Sequence, residues 1–109
     1  MMQMCSEHEF SMERIVQDMC HNPALVYGID RRGFIRPGYY ADLVIADDDC
    51  EPYTITADWV VSRCGWTPLE GLSLNCRVEM TILNGRTVYS QGTVLSSVLG
   101  MPLRFNPKK

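Results

Sequence analysis

Histidine and cysteine are the side chains that would bind a transition metal or supply a nucleophile, and the sequence holds two of the first and five of the second. His8 follows Cys5 in a Cys-x-x-His spacing, and His21 directly follows Cys20. A structural zinc site draws four such ligands from recurring separations, which neither pair fits. Adjacent residues on a helix also point apart. The expectation is therefore solvent-facing histidines and a core cysteine. Pairing Cys64 with His21 as nucleophile and base would require a cation or a helix terminus near the thiol to lower its pKa. Around Cys64 the sequence offers no helix terminus, and the adjacent Arg63 alone is not taken to activate it. Asp47, Asp48, Asp49 and Glu51 gather acidic oxygens as a calcium loop does, yet they lack its alternating spacing and closing Glu. They read as a solvated turn. The glycines at 28, 33, 38, 65, 71, 85 and 92 are too scattered to cradle a phosphate. Cys64 to Gly71, with Glu70 as its one carboxylate, reads as a structural loop that buries Trp66.

The elements that would position any site are short. Met12, Ile15, Val16, Met19 and Cys20 recur at i, i+3, i+4, i+7 and i+8, the stripe of an amphipathic helix, with Ser11 at its N-cap. Asn22 offers a second N-cap, Pro23 an N1 residue and Gly28 a C′ stop, which predicts a separate helical turn over 24–27. The apolar run Ala41 to Asp47 predicts a buried strand. Thr54 to Thr56 predicts another, with Thr56 capping a helical turn through Val61. Between 76 and 83, Val78, Met80 and Ile82 alternate with Arg77, Glu79 and Thr81. Asn84-Gly85 then supplies the positive-φ residues of a type I′ turn, and 86–90 returns as the partner strand. The reading is an α+β piece, with helices over 1–31 and short strands with a hairpin over 32–109. So thin a set of layers leaves the Val78, Met80, Ile82 face needing a cover. The helix or a segment outside this sequence would serve equally.

Size and charge bound the function. The chain has 109 residues, with 10 Lys and Arg against 13 Asp and Glu, for a formal charge of −3. That is one domain, too small for a barrel of about 250 residues. With 46% apolar and 21% charged residues it is a folding sequence. Its acidity argues against nucleic acid as a partner. No apolar run approaches the roughly 20 residues that cross a bilayer, so no membrane partner is expected. An odd cysteine count and no secretory signal point to a reduced, cytoplasmic protein.

Taken in order, several segments resemble the amidohydrolase superfamily. They are Ser11-Met12-Glu13-Arg14-Ile15-Val16, Asn22-Pro23-Ala24, Gly33-Phe34-Ile35-Arg36-Pro37-Gly38-Tyr39-Tyr40-Ala41-Asp42-Leu43-Val44-Ile45, and Val78 through Asn84-Gly85 to Tyr89. Arg63 to Gly71 and Gly100 to Asn106 narrow the resemblance towards the dihydroorotases, while hydantoinases and allantoinases share the Pro-x-Glu-Gly element. The resemblance implies that 1–31 are closing helices of a TIM-type barrel and 32–109 the C-terminal strands of its companion β-sandwich. It implies a parent enzyme that reversibly hydrolyses dihydroorotate to N-carbamoyl-aspartate in pyrimidine synthesis. Its zinc pair would be held by a His-x-His, a carboxylated Lys, two further His and an Asp. Two cations would acidify a bridging water and polarise the amide carbonyl, with the Asp moving the proton. This sequence contains no His-x-His. Hence no catalytic, substrate-binding or metal residue is carried over to a position here, and zinc belongs to the parent, not to this segment. The expectation is a structural C-terminal segment, inactive alone, partnered by the missing N-terminal part of the enzyme or self-associating through the hairpin sheet. A free-standing β-rich binding module or pseudoenzyme remnant is the reading from a different class.

Overall fold

The computed structural model describes residues 2–6, 10–95 and 99–106. After a first helical turn, α1 (Met2–Ser6), the side chain of Ser11 accepts a hydrogen bond from the Arg14 amide at 3.2 Å and starts α2 (Met12–Val16), as its cap position predicts. The expected break at Asn22 does not occur. Asn22 has helical φ and ψ of −61° and −45°, and the chain runs through a π-helical stretch, Gln17–His21, straight into α3 (Asn22–Tyr27). Proline inside a helix lacks an N–H and crowds the carbonyl four residues earlier. The wider register, in which the Asn22 N–H bonds Gln17 O, lets the helix pass Pro23. Gly28, left-handed at φ 63°, ends it as expected, and a Cβ there would stand 2.6 Å from Asn106 O. The segment around Phe105 closes on this corner. Asn106 N–H bonds Gly28 O at 2.7 Å, and Asp30 N–H bonds Arg104 O at 2.8 Å.

The helical stripe is not a core face. Ile15 is buried, but Val16 and Cys20 are exposed and Met19 is 58% exposed. The helices pack chiefly on one another, so they do not supply the cover that the hairpin needs.

The main sheet is antiparallel throughout. β1 (Leu43–Asp47) pairs with β4 (Arg77–Leu83), β4 with β5 (Arg86–Ser90), and β5 with β6 (Thr93–Val94), in the order β1-β4-β5-β6. Asn84 and Gly85, at φ 51° and 80°, form the predicted two-residue hairpin. The hairpin is interior to the sheet, however, and its strands are not the open edge. An irregularity at Thr81/Ile82, where Thr81 faces Tyr89 and Ile82 faces Thr87, disturbs the simple alternation of faces. A second pair, β2 (Tyr53–Thr54) with β3 (Ser73–Leu74), flanks the 3-10 turn Ala57–Trp59. Thr56 precedes that turn but makes no side-chain cap bond.

The expectation of a buried β1 is overturned, because Val44 is 62% and Ile45 50% exposed. A run apolar on both faces suits a strand covered on both sides, and the described residues cover neither. The same holds at the scale of the chain. Its accessible surface is 8553 Å², against about 6,100 Å² for a folded monomer of 12.4 kDa. Its radius of gyration is 16.0 Å, against about 13 Å for a closed globule of this length. No helix among the described residues is long and apolar enough to cross a membrane.

Candidate functional site

The best-defined side-chain cluster joins three segments that sequence places far apart. Arg32, 8% exposed, donates to the Asp42 carboxylate and, at 3.1 Å, to the Asn84 side-chain oxygen. The second Asp42 oxygen accepts the Asn84 backbone N–H at 2.8 Å, and the Gly85 N–H bonds Ala41 O at 3.0 Å. The Tyr40 ring lies under the Arg32 guanidinium at 4.2 Å. Burying a guanidinium is costly unless it is paired and hydrogen-bonded, which this arrangement provides. Both carboxylate oxygens are engaged, so the cluster is a clasp between the loop after α3, the start of β1 and the hairpin turn. It gives Ala41-Asp42-Leu43 and Asn84-Gly85 a common physical reason. Sequence reasoning singled out both motifs but missed Arg32, because nothing local marks which of three nearby arginines turns inward.

The residues weighed for chemistry are not brought together. His21 stacks on Phe34, with ring centroids 4.2 Å apart and planes within 7°, and Arg36 covers Phe34 at 4.1 Å. His21 is thus a packing residue and not the solvent-facing one expected, while Cys20 is exposed and not in the core. The Cys5 side chain and His8 lie outside the described residues. In the acidic turn the Asp49 N–H bonds Asp47 Oδ1 at 3.0 Å, as a solvated turn would. The 64–71 loop does not bury Trp66, which is 62% exposed. Within that loop the Cys64 thiol is held below its ordinary pKa, first by a hydrogen bond with the Ser62 hydroxyl and then by the Trp66 main chain. That cause was not visible as a charged neighbour in sequence. Tyr53 stacks on Trp59 at 5.1 Å and donates its hydroxyl to Cys76 O at 2.6 Å. Burial pushes the Tyr53 phenol up, with Cys50 and Cys76 adding to the shift. An open groove of about 550 Å³ runs between Tyr53, Trp59, Arg77, Glu79 and Tyr89.

The signature of the Amidohydrolase family matches residues 1–88. The chain belongs to the amidohydrolase family. The stretch of this amidohydrolase that matches contains the whole Arg32–Asp42–Asn84 clasp and the Cys64 loop. It is similar to the dihydroorotase of Halobacterium salinarum, 41% identical over 86 residues, which covers 79% of this chain and 20% of that protein. The dihydroorotase of Pyrococcus furiosus is 36% identical over 90 residues, covering 83% of this chain and 21% of that one. Among solved structures, the L-hydantoinase (dihydropyrimidinase) from Arthrobacter aurescens aligns with a TM-score of 0.77 at 29% identity, over 84% of this chain and 20% of that one. The chain therefore spans about one fifth of the length of the relatives it matches. Among the described residues, no three His, Cys, Asp or Glu side chains come together as a metal site. The donor set does not fit the zinc pair that the family resemblance implies.

Proposed function

We propose that this chain is the C-terminal, structural part of a dihydroorotase-like cyclic amidohydrolase. In this reading α2 and α3 are closing helices of the enzyme's barrel, and the strands from β1 onward belong to its β-sandwich. The parent reaction is the reversible hydrolysis of dihydroorotate to N-carbamoyl-aspartate, with metal and catalytic groups supplied by the rest of the polypeptide. The observation that carries the reading is the excess of about 2,400 Å² of exposed surface over a folded monomer of this mass, in a chain that spans about one fifth of the length of its dihydroorotase relatives. A chain that belonged alone would not leave β1, Met19 and Trp66 uncovered to that extent. What it contributes is positional: the clasp fixes the hairpin against β1, and the 99–106 segment fixes the helix end.

The likeness to an L-hydantoinase favours a second parent, in which the ring hydrolysed is a hydantoin or dihydropyrimidine. Substituting this segment for the matching fifth of the Pyrococcus furiosus dihydroorotase tests the first parent. The hybrid is expected to fold and to hydrolyse dihydroorotate. A hybrid that fails to fold, while the same segment placed in the Arthrobacter aurescens L-hydantoinase restores that enzyme, would transfer the assignment to the second parent.

A further inference from the structure

Of the four cysteines whose side chains are described, Cys20 and Cys64 are exposed, whereas Cys50 and Cys76 are 7% and 8% exposed. The main chain draws the buried two together. Cys50 closes the acidic turn that follows β1, and Cys76 immediately precedes β4. The Cys50 N–H bonds Asn75 O at 2.8 Å. Peptide geometry puts the Cα atoms on either side of an accepting carbonyl about 5 to 6 Å from the Cα of the donor. For Cys50 and Cys76 that separation falls inside the roughly 4.4–6.8 Å that a disulfide spans. The Cys76 thiol is already turned back towards this corner, since its Sγ donates to Asp48 O at 3.5 Å, two residues before Cys50. The Tyr53 hydroxyl, which donates to Cys76 O at 2.6 Å, is raised in pKa by Cys50 and Cys76 alike, so both sulfurs lie within electrostatic reach of one phenol. Cys76 also lines an open groove of about 710 Å³ with Tyr53, Leu72, Leu74 and Val78. A molecule as small as hydrogen peroxide reaches the sulfur by that route.

We propose that Cys50 and Cys76 form a dithiol modification site, which hydrogen peroxide oxidises to an intrachain disulfide. One sulfur, as thiolate, attacks a peroxide oxygen and becomes a sulfenic acid, while the O–O bond breaks and water leaves. The second sulfur then attacks the sulfenic sulfur, the S–O bond breaks, and a second water leaves. The two thiols give up two protons and two electrons, which the peroxide takes up. Rotation of the thiols about χ1 brings the sulfurs together. The bridge encloses residues 51–75, with β2, the 3-10 turn, Cys64 and β3, and ties that excursion at its neck to the end of the β1 turn and the start of β4. A cross-link across so long a loop restricts the unfolded chain and so favours the folded one. The site is the same whichever parent enzyme the chain belongs to.

Mapping the linkage tests the proposal. The 109-residue chain is treated with hydrogen peroxide in native buffer and in concentrated urea, the remaining thiols are alkylated, and the unreduced digest is read by mass. In native buffer the 50–76 bridge is expected to exceed every other cysteine pair by about tenfold or more, because the fold holds these two residues together. In urea that preference should vanish, and dithiothreitol should reverse the bridge. Oxidation should also raise the urea midpoint of the unaltered chain and leave that of Cys50→Ser where it was. The same mapping is applied to the hybrid with the Pyrococcus furiosus dihydroorotase, which carries this segment within a longer enzyme. A bridge in either protein with the native preference upholds the site. A predominant link from Cys20 or Cys64 to Cys50 or Cys76 overturns it, as does a 50–76 preference that persists in urea. Absence of the bridge from both chain and hybrid, with Cys50 and Cys76 left as thiols or oxidised singly to sulfinic acids, overturns it as well.

Discussion

A thiol in hydrogen-bond contact with a hydroxyl holds more thiolate near neutral pH than an isolated cysteine, and thiolate is the reactive form. Cys64 is exposed and has such a contact with Ser62, whereas Cys50 and Cys76 are buried. Iodoacetamide at pH 7 is therefore expected to modify Cys64 before either of them. The rate profile for Cys64 should have its midpoint below that of an ordinary cysteine, and Ser62→Ala should move it back up. A profile indifferent to Ser62 would remove the hydroxyl as the cause. Little of this was legible beforehand. Reading sequence for charged neighbours finds Arg63, whereas the shift comes first from the Ser62 hydroxyl, which comes into play only because the loop folds back over two residues. Trp66 misled for a related reason: a large aromatic predicts burial, but the surface that would bury it is not among the described residues.

Local chemistry explains which elements could be read. Asn84-Gly85 announces its turn because both residues must adopt positive φ, and Ser11 announces a helix start because a hydroxyl satisfies an orphan amide. The passage through Pro23 was not legible, since a π-helical register is an accommodation by the helix around a misfit and leaves no residue pattern of its own. β3 and β6, two residues each, are too short to show alternation and exist only through their partners. Arg32 illustrates the same limit at longer range, because its partners lie ten and fifty-two positions away. Arg32→Ala leaves Asp42 without its cation and is expected to destabilise the fold by about 3 kcal/mol, read as a lower urea midpoint. Loss of the β1–β4 exchange protection should accompany it. An unchanged midpoint would mean that the clasp does not hold β1 to the hairpin.

For the whole molecule, the order and spacing of several common motifs carried more information than any single residue, and the family match over 1–88 agrees with them. What the sequence could not supply was the distribution of the core. Apolar content of 46% predicts a folding chain, yet the radius of gyration of 16.0 Å and the exposed β1 show a body whose apolar faces are spread outward. That distribution supports the proposal of a C-terminal part whose chemistry is supplied by the rest of a longer polypeptide. The most direct test is a steady-state assay of dihydroorotate hydrolysis by the purified 109-residue chain with added zinc. No turnover above the uncatalysed rate is predicted from the chain alone. Sustained hydrolysis by the chain without any second polypeptide would contradict the central claim.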